Sequence, residues 1–356
     1  MNTEVVIVVN PGSTSTKIAL FNRSSEVCAQ TIKHEQVTLD SFKKVADQLD
    51  YRFDAIWEIL TVWVKNGKFL VVGVVGRGGI VKPLEGGTYR VNQSFIEDAF
   101  AGKYGEHASN LGVLLAKIIK EKFALDECYS VDPVSVSNIS PIAEISGVPG
   151  ILRSGRGHPL NMKMTARKIA FLQKIPFDDT IYVIAHLGGG ISIALVVGGK
   201  ITDVNDALLG MGPFSPNRAG ALPLRGLMQM CYSKPKEEVE KLLSKNSGLK
   251  AYLGTEDLRD VIKMVDDGNE HANLIYNAFV YQIAKEIGAY FAASKCKAHA
   301  IITTGGIAFN ERFITDLRVY VGTLTEFYVY AGENEMEALA EGVFRVIDGI
   351  ETAKEY

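Results

Sequence analysis

The stretch Asn10-Pro11-Gly12-Ser13-Thr14-Ser15-Thr16-Lys17 sets one amide, four hydroxyls and one cation within eight residues. Hydroxyls and backbone N–H groups in such a turn fork around phosphate oxygens, and Lys17 adds positive charge. A solvated hairpin turn has much the same composition, so the segment alone supports both readings. A second stretch tips the balance. Val5 to Leu20 and Ile181 to Leu195 each read as apolar strand, polar glycine-bearing turn and second strand, with Lys17-Ile18-Ala19-Leu20 falling on Ser192-Ile193-Ala194-Leu195. The second turn, at Gly188-Gly189-Gly190, is one residue shorter. A supersecondary unit repeated at this distance predicts duplicated domains. Two phosphate hairpins facing each other across a cleft predict an enzyme that clamps a nucleotide. Neither turn carries GxxxxGK[ST], so this is no Walker A loop, and neither matches GxGxxG, which weakens a dinucleotide-binding reading.

Three further turns carry arginine: Gly76-Arg77-Gly78-Gly79, Arg153-Ser154-Gly155-Arg156-Gly157-His158 and Pro216-Asn217-Arg218-Ala219-Gly220. Flanking glycines let the backbone approach a ligand while the guanidinium reaches it. A solvated loop arginine is the commoner case for any single one; three together favour anion binding. None of the histidines (His34, His107, His158, His186, His271, His299) has metal-site spacing. His186 ends a strand directly before the glycine run and so points into a cleft. His34, His271 and His299 read as packing or surface residues. His107 at a helix start fits capping and ligand contact equally well. Asp132 closes a buried strand ahead of Pro133; ligands gather at carboxyl ends of strands, and Asp-Pro is also an ordinary turn. Asn334 reads as a helix N-cap with Glu337 capping back, which leaves Glu335 in the first turn.

The elements that must position these residues alternate. After the first hairpin, Glu26 to His34 reads as a third strand, Ser41 to Val64 as mostly helix, and Phe69 to Val75 as a buried strand. Glu106 to Phe123 has helical spacing, and Cys128 to Val131 is a short strand. The Gly-, Pro-, Ser- and Arg-rich stretch 135–159 reads as an inter-domain crossover. Beyond it the order repeats: helix Asn161 to Phe171, the second hairpin, and a third strand at Lys200 to Val204. Helices are expected at Glu237 to Lys245, Asp257 to Val265, Ala272 to Ser294 and Glu335 to Ile347, with a strand at His299 to Thr304 ahead of Gly305-Gly306.

At 356 residues, with 47% apolar and 22% charged residues, the chain suits two domains with separate cores. A net charge of −3 argues against a general nucleic-acid binder. The cysteines Cys28, Cys128, Cys231 and Cys296 are far apart, as expected of reduced thiols in a cytoplasmic protein. Glu4 ahead of a short apolar run reads as a first strand and not a signal peptide, and no run approaches membrane-span length.

These motifs resemble the acetokinase family, whose acetate, propionate and butyrate kinases belong to the acetate and sugar kinase, heat-shock chaperone and actin superfamily. The resemblance covers essentially the whole chain. It rests on Asn10 to Lys17, His186-Leu187-Gly188-Gly189-Gly190, Gly212-Pro213-Phe214 to Gly220, Gly254-Thr255-Glu256-Asp257-Leu258-Arg259, Thr304-Gly305-Gly306-Ile307 and Asn334-Glu335. Gly76 to Gly79, Gly86 to Tyr89, Glu106 to Gly112, Val131 to Val134 and Gly157 to Asn161 are similar to the butyrate kinase branch. The chain departs from the acetate kinases at Arg77, which stands at a histidine's place, at Gly189, which replaces Asn, and at Gly157, which replaces Phe. The last change implies a roomier, apolar acid pocket.

The resemblance implies an α/β, duplicated actin-like two-domain fold. Residues 1–150 would form the first domain, with a C-terminal helix, about 337–356, packing back on it; residues 151–336 would form the second, nucleotide-binding domain. It implies reversible, ATP-dependent phosphorylation of a short-chain fatty acid, butyrate or isobutyrate, to the acyl phosphate. Alternatives are an acetate or propionate kinase of the same family, a non-catalytic actin-like ATPase module, or, more weakly, a sugar or polyol kinase. Asn10, Ser13, Ser15 and Lys17 would hold phosphates, with Gly188 and Gly189 of the second hairpin. Asp132 and Glu335 would position Mg²⁺. His107, His158, His186 and Arg218 would surround the phosphoryl group in flight, with Arg77 added by position. Asp257, Leu258, Arg259, Gly305 and Gly306 would hold adenine and ribose. The family implies a homodimer or higher homo-oligomer acting on small molecules, with no nucleic-acid or membrane partner.

Overall fold

The computed structural model of the protein describes every residue except Met1, Asn2, Ser137 and Arg156; Arg156 of the second arginine turn therefore lies outside the described residues. The elements run in chain order as follows. First come β1 (Glu4–Pro11), β2 (Ser15–Phe21), β3 (Glu26–Lys33), α1 (Gln36–Asp40), α2 (Leu49–Gly67) and β4 (Leu70–Gly76). Next are β5 (Thr88–Arg90), α3 (Gln93–Ala101), α4 (Leu111–Lys122), β6 (Tyr129–Val131), α5 (Pro141–Glu144) and α6 (Pro159–Gln173). The second hairpin is β7 (Ile181–Leu187) and β8 (Ile191–Val197), followed by β9 (Lys200–Val204). Then come α7 (Leu224–Ser233), α8 (Lys236–Lys245), α9 (Gly248–Leu253), α10 (Leu258–Asp266) and α11 (Glu270–Ala293). The chain ends with β10 (Ala300–Gly305), α12 (Glu311–Val321), β11 (Glu326–Ala331), α13 (Glu335–Ile347) and β12 (Lys354–Glu355).

These elements gather into two compact units, Met1–Ser137 with Asn334–Tyr356, and Asn138–Glu333. The sheet of the first unit has the order β12-β5-β6-β4-β1-β2-β3, and that of the second β11-β10-β7-β8-β9. In both, the hairpin and its third strand are antiparallel and the next strand joins the hairpin in parallel, β4 on β1 and β10 on β7. Five strands of the first sheet therefore repeat the whole of the second. The repeat holds at residue level. Asn10 is the register partner of Lys17, and His186 is the partner of Ser192, so His186 occupies the place of Asn10.

The apolar runs explain the layers. Val5 to Val9 are all fully buried, which requires cover on both faces of β1. Val5, Ile7 and Val9 share a core with Ile56 and Leu60 of α2 and Leu111 and Leu115 of α4. Alternation sends Val6 and Val8 to the other face, where α13 packs against β1 and β4. In the second unit Val183, Ala185 and Leu187 face α11 and α12, while Tyr182 and Ile184 meet Met162, Ala166 and Ile169 of α6.

Two expectations change on contact with the fold. The helical stretch from Ser41 divides, because Ser41 to Lys44 break between α1 and a 3₁₀ turn at Val45–Gln48 that leads into α2. Asn334 does not cap α13 with its side chain; its backbone lies in the left-handed region, φ 48°, and no side-chain cap bond to the helix forms.

Candidate active site

In the first unit the β1–β2 hairpin is closed by Gly12 N–H donating to Ser15 O at 2.7 Å. Ser13 and Lys17 are exposed, and Ser15 is half-buried. Asn10, at the end of β1, donates through Nδ2 to Glu335 Oε2 at 2.9 Å. Arg77, buried just beyond β4, donates to Asp132 O and to Glu335 Oε1, each at 3.3 Å. Asp132 is 5% exposed and holds φ 40°, a conformation that Asp tolerates better than most side chains. Its Oδ1 accepts the Gly87 N–H at 2.9 Å. Asn10, Arg77, Asp132 and Glu335, drawn from four elements far apart in sequence, thus form one connected cluster at the carboxyl ends of β1, β4 and β6.

His107 caps the 3₁₀ turn Ala108–Asn110 that leads into α4. Its Nδ1 accepts from Ser109 N–H at 3.2 Å and meets Ser109 Oγ at 2.8 Å. Burial first, and then the Arg77 charge, lower its pKa. The turn bearing Arg77 lies against the start of α4 because neither backbone carries a side chain there. A Cβ on Gly76 would come within 2.0 Å of Gly112 O, and one on Gly112 within 2.2 Å of Arg77 O.

Beneath the first hairpin lies a residue that sequence reasoning missed. Arg52 of α2 is 0% exposed. Its guanidinium donates to Gly12 O at 2.9 Å, Ser13 O at 3.0 Å, Ser15 O at 3.0 Å and Thr16 Oγ1 at 3.1 Å. Thr16 Oγ1 also meets His34 Nε2 at 2.8 Å, so His34, expected to be an ordinary packing residue, belongs to the same support. An arginine inside an amphipathic helix reads as solvent-facing, and nothing local marks this one.

In the second unit His186 is buried at the end of β7. Burial, and secondarily the neighbouring His158, push its pKa well below the usual histidine value. The two rings stack with centroids 3.8 Å apart and planes 13° from parallel. His158 Nδ1 meets Ser192 Oγ at 3.0 Å, and His186 Nδ1 meets Asn161 Oδ1 at 2.9 Å. Arg218 lies against the glycine turn and donates to Ala207 O. A Cβ on Gly190 would fall 2.0 Å from Arg218 Nη1, so the third glycine of the run makes room for the guanidinium. Ser215 Oγ donates to Gly189 O at 2.6 Å and accepts from Arg218 N–H at 3.2 Å, which ties the arginine loop to the hairpin.

A groove of about 620 Å³ joins Gly188, Gly189, Asp257, Leu258, Arg259 and Gly306, a size within the range of small-molecule sites. Gly305, at φ 88°, shapes the turn behind it. Asp257 caps α10 by accepting from Arg259 N–H at 2.9 Å, and the Arg259 side chain holds its carboxyl below the usual range. The groove also takes in Phe309, 70% exposed, which no motif flagged. A Cβ on Gly157 would meet Val204 Cγ2 at 3.2 Å and Ser192 Oγ at 3.5 Å.

Among the described residues, no helix is long and apolar enough to cross a membrane. Comparison with known proteins agrees with the fold. The acetokinase family model matches residues 149–343. Butyrate kinase 2 of Clostridium acetobutylicum is 41% identical to this chain over 356 residues, covering 99% of each. Porphyromonas gingivalis acetate kinase superposes with a TM-score of 0.75 at 18% identity, over 96% of this chain and 99% of its own. A propionate kinase from Francisella tularensis gives 0.70 at 19% identity, over 96% and 99%. These two structures establish the fold, the duplicated actin-like α/β architecture. Full-length identity to a butyrate kinase, together with the family match, establishes the relationship: the chain belongs to the acetokinase family.

Proposed function

We propose that the protein transfers the γ-phosphoryl group of ATP reversibly to the carboxylate of a short-chain fatty acid, butyrate or isobutyrate, to give the acyl phosphate and ADP. The observation that carries this reading is the 41% identity to Butyrate kinase 2 across 99% of both chains. A carboxylate is ionised at neutral pH, with an ordinary pKa near 4, and needs no general base. The transfer needs in-line positioning and stabilisation of charge on the phosphoryl oxygens. The cationic and hydrogen-bonding side chains present suit that demand. In the first unit, Asn10, Ser13, Ser15 and Lys17 hold phosphates, and Arg77 orients Glu335. In the second unit, Gly188 and Gly189 admit the phosphates and Arg218 and His158 meet the transferring group. Asp257, Arg259, Gly305 and Gly306 shape the nucleoside end.

Among the described residues no group of three or more acidic, His or Cys side chains forms a metal cage. Two carboxylates, Asp132 and Glu335, suit a Mg²⁺ that rides on phosphates and keeps several waters. Bound there with ATP, the ion would neutralise charge on the phosphate oxygens. Asp132→Asn preserves an acceptor for the Gly87 N–H and so keeps the fold. It is expected to lower turnover by roughly 10- to 100-fold and to raise the Mg²⁺ concentration needed for half-maximal rate. A normal rate with unchanged Mg²⁺ dependence would remove Asp132 from the metal site.

A cytoplasmic location and a homo-oligomer belong to the same reading. The four cysteines are free, and α7 buries none of its residues and exposes Leu224, Met228 and Tyr232. The function itself is tested with ATP, Mg²⁺, hydroxylamine and one acceptor at a time. Hydroxamate should form faster with butyrate or isobutyrate than with acetate. ADP release without hydroxamate from any acid would replace this reading with that of an ATPase or a polyol kinase.

A further inference from the structure

Asn161 lies in the first turn of α6 and is 0% exposed. Its Nδ2 donates to Gly332 O at 3.1 Å and to Glu333 O. An amide nitrogen has two N–H donors and no acceptor capacity, so two backbone carbonyls fix which end of the side chain is which. The amide oxygen is left facing His186 Nδ1 at 2.9 Å. An oxygen of this kind only accepts, so Nδ1 carries the hydrogen of that bond. The ring is buried and stacked on a second imidazole, surroundings that favour its neutral form. In a neutral ring only one nitrogen is protonated. The other, Nε2, is directed at the glycine turn, where a Cβ on Gly188 would lie 3.5 Å from it.

We propose that Asn161 is a positioning residue that holds His186 as the Nδ1–H tautomer, so that Nε2 presents a lone pair, and not a hydrogen, to the Gly188–Gly190 turn. Resting on the phosphotransfer reading above, this divides the work of the stacked pair. A bare phosphate oxygen and the Nε2 lone pair repel, so His186 does not donate to the transferring group. It accepts from a donor at the turn, such as a water or a protonated phosphate oxygen. Charge on the phosphoryl oxygens falls to Arg218 and His158. Among His107, His158, His186 and Arg218, expected to surround the phosphoryl group, His186 is thereby given a distinct role.

The test is a two-bond proton–nitrogen correlation spectrum of the full chain labelled with ¹⁵N-histidine at neutral pH, with the His186 signals assigned by their loss in His186→Gln. The expected pattern is a protonated Nδ1 and a bare Nε2. A protonated Nε2, or protons on both nitrogens, overturns the proposal. In Asn161→Leu the tautomer preference should disappear, and kcat should fall by roughly 10- to 100-fold with KM for ATP changed far less. An unchanged His186 spectrum in that variant also overturns it. If Asn161→Leu does not fold, Asn161→Asp decides: it keeps an acceptor facing Nδ1 while losing the donors to the two carbonyls, so Nδ1 must stay protonated. The spectra require no turnover. A protein inactive on every acid would therefore refute the functional reading while leaving the tautomer assignment to stand or fall separately.

Discussion

Arg218→Ala is expected to lower kcat for acyl phosphate formation by on the order of 10²- to 10³-fold, the cost of removing one preorganised donor to developing oxyanion charge. Three features single out this arginine. Its guanidinium lies against a glycine that admits no side chain, at the turn of the second hairpin. Its backbone is tied to that turn through Ser215. Its Nε is buried with no hydrogen-bond partner among the described residues. A buried N–H left unpaired costs about 1–3 kcal/mol. Burial lowers the pKa of Arg218, yet a guanidinium remains charged at neutral pH. Lysine at this place keeps the charge and loses the planar fork, so Arg218→Lys should recover only a small part of the rate. Steady-state kinetics beside a thermal melt check both variants. A near-normal kcat in a folded Arg218→Ala protein would exclude Arg218 from the reaction.

Arg52→Met is expected to destabilise the first unit by roughly 3 kcal/mol and to raise KM for ATP about tenfold. The arginine serves three turn carbonyls and the Thr16 hydroxyl, and its Nε donates to Gln48 Oε1 at 3.0 Å. Methionine fills much of the volume and serves none of them. Each orphaned carbonyl costs roughly 1–3 kcal/mol when water cannot reach it, and less at a turn where water partly can. The loss falls on the segment that carries Ser13 and Ser15, so nucleotide binding should weaken along with stability. Urea denaturation followed by fluorescence gives the first quantity and ATP titration of initial rates the second. Wild-type values for both would show that the hairpin holds its shape without Arg52.

Much of the fold was legible because its signals are local and repeated. The hairpin repeat, read from Lys17 to Leu20 against Ser192 to Leu195, corresponds to one topology built twice, down to the register partners Asn10–Lys17 and His186–Ser192. Strands β5 and β12 were not legible, since each is defined by pairing with residues distant in sequence, β5 with β6 and β12 with β5. The candidate site was legible only as residue types at strand ends. Its support was not. Arg52, His34 and Asn161 act through contacts up to 172 residues away in sequence, and each is an unremarkable letter where it stands. Asn334 shows the converse. Its residue type suits an N-cap, but the left-handed backbone that carries the chain into α13 takes the side chain away from that task.

The division of the chain has a consequence for its birth on the ribosome. The second unit is continuous, Asn138–Glu333, whereas the first needs Asn334–Tyr356 to finish. Until that tail emerges, the α13 face of β1 and β4 has no cover, and β5 lacks β12 beside it. Tyr356 helps seal the edge, its ring stacked on Phe95 at 4.3 Å and its hydroxyl donating to Asp98 at 2.8 Å. At roughly 5–20 residues per second, synthesis of the intervening segment keeps the N-terminal sheet waiting for about 10–40 s. The portion made first is thus completed last, and during that interval a nascent chain exposes the apolar side of β1 to whatever chaperone is at hand.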